Sequence, residues 1–120
     1  MQLRPTSAHV NLKRLEGNLE CIRTVLPAGT QVLAAVKGDA YGHGAVTCAQ
    51  ALARAGVDAF GVALVEEGRA LRRAGIKQPI LCMGGAGPNG AAEAIAHKLT
   101  PLVSDLAEAE ALDKAAHAAE

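Results

Sequence analysis

Aromatic side chains are almost absent from this 120-residue chain, which holds one Phe, one Tyr and no Trp. A core must therefore be assembled from Ala, Val, Leu and Ile, a composition suited to helices packed on a sheet. An excess of either charge is also missing, since twelve basic residues balance twelve acidic ones and neither sign forms a long run. That argues against a nucleic-acid interface, which needs clustered Lys and Arg, and against an anionic-membrane surface. No apolar stretch is long enough to span a bilayer, and the opening MQLRPTSAHVNLK has no apolar core of signal-peptide length. Cysteine is scarce: Cys21, Cys48 and Cys82 are odd in number, far apart and without zinc-type spacing. Each falls in an apolar periodic segment, so buried free thiols in a reducing cytoplasm are expected. His9, His97 and His117 are scattered, with no spacing that makes a metal site.

Half of the residues are hydrophobic, enough for one domain's core or part of one. Their periodicity switches back and forth along the chain. A short lead-in strand is expected at 8–12, then a helix at 13–26 with Leu15, Leu19, Ile22 and Leu26 on one face and Pro27 after its end. Four apolar strands are expected at 32–36, 59–63, 79–83 and 99–103, the last weakened by Pro101. Helices are expected between and after them at 44–55, 65–75, 89–97 and 105–119, with Ser104 or Asp105 available to cap the last. Glu66, Glu67, Arg69, Arg72 and Arg73 have the spacing of a solvated helix face. Strand and helix alternate about four times, which implies a parallel sheet with helical crossovers, an α/β architecture. Two topologies compete: a doubly wound open sheet, or part of a (β/α)₈ barrel, which needs about 250 residues when complete. Ligands gather at the carboxyl ends of the strands in both.

Lys37 stands at such an end, directly after the apolar run VLAAV and before a glycine-rich turn. Apolar flanks disfavour the ammonium form, and a neutral amine can condense with a carbonyl compound, pyridoxal phosphate included. Taken alone, the residue reads equally as a lysine whose head snorkels into solvent. Its neighbours add to the case. Gly38, Gly42 and Gly44 permit positive φ or close approach of a ligand. The helix that opens near residue 44 offers free N–H groups to an anion. Tyr41 brings a hydroxyl to the same anion, and His43 either orients a partner or bonds the turn. Amine, phenol and anion-friendly turn suit an aldehyde that carries a phosphate.

AAVKGDAYGHG resembles the cofactor-lysine motif of the alanine racemase family, V-K-A-[DN]-A-Y-G-H-G. HVNLKRLEGNL resembles the family's opening segment, and AFGVALVEEGRALRRAGIKQPILCMGG its second and third βα units. The resemblance covers essentially the whole chain. It implies that residues 1–120 are about the first half of a TIM-type (β/α)₈ barrel that binds pyridoxal 5'-phosphate, without the family's C-terminal β domain. It implies that Lys37 carries the cofactor and exchanges the Cα proton on one face of the substrate, and that Tyr41 bonds the cofactor phosphate. The implied activity is interconversion of L- and D-alanine, supplying D-alanine for peptidoglycan, in a homodimer whose second subunit contributes a tyrosine as the opposite-face base. That tyrosine, the arginine facing the pyridine nitrogen and the remaining phosphate ligands lie outside this chain, so the 120 residues alone are expected to have little activity. The motif departs from the family at Gly38, where Ala is usual, and the added backbone freedom is expected to loosen the lysine's aim.

Two rival readings remain. One is a non-catalytic fragment that binds pyridoxal phosphate. The other rests on GAGPNG at 85–90, a G-x-G-x-x-G after an expected strand and before a helix, with Asp105 where a ribose-binding acid would stand. That would be an NAD-linked oxidoreductase holding a pyrophosphate on Gly85, Gly87 and Gly90. Thirteen glycines make a chance match cheap, and Pro88 removes an N–H.

Overall fold

The computed structural model describes residues 6–120, so residues 1–5 of the opening segment lie outside it. The chain runs α1 (Leu12–Val25), β1 (Leu33–Ala35), α2 (Lys37–Gly42), α3 (Ala45–Arg54), β2 (Ala59–Val62), α4 (Val65–Arg73), β3 (Ile80–Cys82), α5 (Gly87–Ala96), β4 (Thr100–Pro101) and α6 (Leu106–Ala118). The expected strands and the longer helices are present, mostly shorter by a residue or two at their ends. The lead-in strand at 8–12 is not: residues 6–10 have no regular structure, and Asn11 caps α1 by accepting from the Arg14 N–H at 3.1 Å. An Asn side chain that satisfies a free helix N–H outweighs the weak strand pattern before it.

All three strand pairs are parallel, and the order across the sheet is β1-β2-β3-β4. A doubly wound sheet reverses its strand order part-way. This one never does, so the sheet is wound in one direction, as in a barrel. The molecule is a slab, 48 × 47 × 24 Å, with a radius of gyration of 16.5 Å, where a spherical domain of this length would have about 13.6 Å.

Side chains alternate across the sheet. Phe60 pairs with Ile80 and Val62 with Cys82, all at 0–1% exposure. These residues join Leu19, Ala49, Leu52, Val57, Leu71, Ile76 and Leu99 in one core. The opposite face is more open, with Leu33 at 43% exposure. Gly61 leaves room there: a Cβ on it would stand 2.8 Å from Leu33 Cδ2 and 3.1 Å from Met83 Cε. Cys48 and Cys82 are buried free thiols as expected, but Cys21 is exposed, because it lies on the outer side of α1 rather than on the Leu19 face.

Candidate functional site

Val36 donates its N–H to the Gly61 carbonyl at 2.8 Å, the last ladder bond at the carboxyl end of β1, and Lys37 follows at once. Its side chain is half-buried. The chain then turns the unusual way. Gly38, Asp39, Ala40 and Tyr41 have φ of 60°, 56°, 53° and 54° with ψ between 38° and 47°, a left-handed helical turn. L-residues pay for this conformation, at roughly 1–2 kcal/mol for each one with a Cβ. Three such residues in succession persist only where the surroundings over-determine them.

The bonds that do so are visible. Ala40 donates to the Val36 carbonyl at 2.9 Å, and Gly44 to the Asp39 carbonyl at 2.9 Å. Ala45 donates its N–H to Asp39 Oδ1 at 2.7 Å, and Gly38 donates to Glu67 Oε1 at 2.7 Å. His43 Nδ1 bonds the Ala40 carbonyl at 2.8 Å, so this residue serves the turn, one of the two roles expected for it. Gly38 also acquires a different meaning. At φ 60° a glycine removes strain next to the lysine, and its N–H is tied down, so the substitution steadies the turn rather than loosening it.

Glu67 is the link to the next strand. Its other oxygen accepts from the Ala63 N–H at 2.7 Å and the Leu64 N–H at 3.0 Å, closing the β2–α4 junction. Burial would raise its carboxyl, but the N–H groups of Leu64, Gly38 and Ala63 and the charge of Lys37 hold it below the usual glutamate value. Neither Glu67 nor Arg72 belongs to the solvated helix face that spacing suggested. Arg72 donates to the carbonyls of Ile76, Gln78, His97 and Lys98 at 2.7–3.0 Å, tying the end of α4 to the end of α5. Arg69 pairs with Glu93 at 3.1 Å.

Two expected anion sites are filled by the protein itself. The N-terminus of α3 is occupied by the Asp39 carboxylate, so it is not free for a phosphate. The GAGPNG loop meets the same end. Glu108, 6% exposed, accepts from the Ala86 N–H at 2.7 Å and the Gly87 N–H at 3.0 Å, and from the Ser104 N–H at 3.2 Å. A Cβ on Gly85 would collide with the Glu108 carboxylate. The glycines make room for an internal acid rather than a pyrophosphate, and Asp105 is spent capping α6 through the Glu108 N–H at 2.8 Å. The dinucleotide reading therefore falls.

Tyr41, at 64% exposure, ends the left-handed turn with its ring open to a ligand. A cleft of about 460 Å³ beside it opens between α1 and α3, lined by Asn11, Arg14, Asn18, Val36, Tyr41 and Cys48 among others, and Lys37 does not line it. A second hollow, about 650 Å³, lies between Pro79 and Thr100 at the opposite, amino ends of β3 and β4. The buried Cys48 and Cys82 thiols are raised, by burial first and then by Asp39 for Cys48 and by Glu67 and Glu66 for Cys82. Thiols pushed up in this way stay protonated and unreactive. Among the described residues no group of three His, Cys, Asp or Glu could hold a metal ion.

The family described as "Alanine racemase, N-terminal domain" matches residues 10–120. The chain belongs to that family. It is 41% identical over 116 residues to an alanine racemase of Geobacter sulfurreducens, covering 97% of this chain and 30% of the relative. It is 47% identical over 115 residues to one from Sorangium cellulosum, covering 92% and 30%. Among solved structures, an alanine racemase of Clostridium difficile 630 in complex with cycloserine superposes with a TM-score of 0.92 at 35% identity, covering 99% of this chain and 33% of that one. The enzyme of Streptomyces coelicolor A3(2) superposes with a TM-score of 0.82 at 36% identity, over 90% and 29%. The chain thus spans about 30% of the length of the curated alanine racemases it matches. Its four singly wound βα units are part of a (β/α)₈ barrel, which settles the choice of topology left open by the alternation alone.

Proposed function

We propose that this chain is the cofactor-lysine portion of an alanine racemase that uses pyridoxal 5'-phosphate. The observation that carries the reading is a lysine at the carboxyl end of β1 in an alanine racemase domain, followed by a left-handed turn that ends on Tyr41. The donor set fits the cofactor: a half-buried amine for its aldehyde and an exposed phenol for its phosphate. The Asp39 carboxylate fills the nearest helix N-terminus, so the phosphate is held from the Tyr41 side and by groups on other strands.

Bound there, pyridoxal phosphate supplies an electron sink for the carbanion at the substrate Cα. The protein supplies position and proton transfer. Lys37 takes or returns the Cα proton on one face of alanine, and Tyr41 orients the phosphate. Racemisation needs a second proton-transfer group on the opposite face, which a partner subunit of a homodimer contributes. The enzyme works in the cytoplasm and provides D-alanine for peptidoglycan. No helix among the described residues is long and apolar enough to cross a membrane.

One base supports hydrogen exchange at Cα without inversion, which separates this reading from cofactor binding alone. The chain is incubated with pyridoxal phosphate and L- or D-alanine in D₂O, and deuterium at Cα is followed by mass spectrometry. Deuterium entering one enantiomer, and absent with Lys37→Ala, is the expected result. Cofactor bound at Lys37 with no exchange in either enantiomer would instead favour the non-catalytic fragment.

A further inference from the structure

We propose that Glu67 is a positioning residue for Lys37, acting by holding the left-handed turn that starts beside it. The inference rests on the reading of Lys37 as the cofactor lysine and deepens it.

β1 and β2 are neighbours, so their carboxyl ends lie side by side, and each hands the chain to a new element there. After β1 come Lys37 and the left-handed turn, and after β2 come Ala63, Leu64 and α4. Glu67 stands in the first turn of α4 and reaches back across both junctions. One oxygen takes the Gly38 N–H, and the other takes the Ala63 and Leu64 N–H groups. Capping its own helix requires only the second oxygen. The first is directed 29 residues back along the sequence, to the residue next to the lysine.

That contact bears on chemistry because of what it fixes. Lys37 lies between two anchored peptide groups, the Val36 N–H on the Gly61 carbonyl and the Gly38 N–H on Glu67. The backbone at the lysine is therefore pinned on both sides, to β2 and to the start of α4. Without the second pin, the turn after Lys37 keeps only its internal bonds, and the amine loses its fixed position at the strand end. A shift of about 1 Å in a reacting group can cost as much as 100-fold in rate. The charge of Lys37 in turn helps to keep the Glu67 carboxyl ionised, after the N–H groups it accepts from.

The test compares the wild-type chain with Glu67→Gln, which keeps the side-chain length but removes the charge and one acceptor oxygen. Each is mixed with pyridoxal phosphate. The lysine amine adds to the aldehyde carbon, a C=N bond forms and water leaves. Borohydride then delivers hydride to that carbon while the nitrogen takes a proton, fixing the adduct. Peptide mapping over time gives a rate for each lysine, and the exposed Lys13, Lys77 and Lys114 serve as internal references. The expected result is a labelling rate at Lys37 about tenfold lower or more in Glu67→Gln, with the reference lysines unchanged. Circular dichroism first establishes that Glu67→Gln keeps the wild-type fold, and the ratio of Lys37 to the reference lysines then isolates positioning. An unchanged ratio in a folded variant overturns the proposal while leaving the cofactor reading intact. No preferential label at Lys37 in the wild type overturns the cofactor reading and this inference with it.

Should Glu67→Gln not fold, amide hydrogen exchange on the wild-type chain decides. Gly38 belongs to an exposed turn, yet its N–H is expected to be protected to the same degree as those of Ala63 and Leu64. Exchange at Gly38 at the rate of an open loop would mean that no lock exists.

Discussion

Replacing Gly38 and Gly17 with alanine, one at a time, should move stability in opposite directions. At neither position would the new methyl meet any atom within 4 Å, so packing cannot separate the two. The backbone does. Gly38 has φ 60° and ψ 43°, where an alanine is disfavoured by roughly 1–2 kcal/mol. Against this, alanine restricts the unfolded chain and returns about 0.4–1 kcal/mol. The net expectation for Gly38→Ala is a loss of up to about 1.5 kcal/mol. Gly17 lies inside α1, without positive φ, and alanine there should add about 0.5–1 kcal/mol. Urea denaturation followed by circular dichroism measures both, read as the shift in midpoint at constant slope. A stabilised Gly38→Ala, matching Gly17→Ala, would refute the left-handed turn and the account of Lys37 built on it.

Other expectations follow from the same geometry. Phe60→Ala, at a site with no exposure, should cost about 3–5 kcal/mol and leave little folded protein by thermal melt. Gly84→Ala brings a methyl to 2.6 Å from the Ala63 carbonyl, a backbone atom that cannot step aside, and should lower stability by about 1–3 kcal/mol in the same urea assay. A maleimide should label native Cys21 and spare Cys48 and Cys82 until the protein unfolds. Labelling of all three at one rate would contradict the burial. The Glu108 carboxyl is lowered by the N–H groups of Gly87, Ala86 and Ser104, and the Asp58 carboxyl by the Val32 N–H and Arg23. A lowered carboxyl stabilises the fold above its unfolded pKa, about 4, and that stability is lost as pH falls through the folded value. Acid unfolding should therefore be less steep in Glu108→Gln and Asp58→Asn than in the wild type.

The alternation of strands and helices was legible in the sequence because burying one face leaves a period in the side chains. VLAAV, AFGVA and PILCM each fit a strand covered by helices, and the glycines after α3 and α4 mark where those helices end. The place of Lys37 at the carboxyl end of β1 was legible too, since a lysine closing an apolar run stands out from its setting. The hand of the turn after it was not. Asp39, Ala40 and Tyr41 have positive φ because of bonds to Val36 and Ala45 nearby and to Glu67 far along the chain, and no pattern of residue types encodes that sign. The roles of Glu67, Arg72 and Glu108 were hidden for the same reason. Helical spacing makes Glu67 and Arg72 look solvated, and a glycine-rich loop looks ready for a phosphate, until tertiary contacts 21 to 29 residues away supply the partner. The lead-in strand failed more simply, because AHVNL alternates but its Asn caps α1.

The central claim is that Lys37, among the lysines of this chain, is the one that receives pyridoxal phosphate. Borohydride trapping of the purified chain, followed by mapping of the pyridoxyl group, tests it directly. One dominant adduct is expected, on Lys37, which disappears in Lys37→Ala without a compensating gain elsewhere. Adducts distributed evenly over Lys13, Lys77, Lys98 and Lys114, with no preference for Lys37, would contradict it.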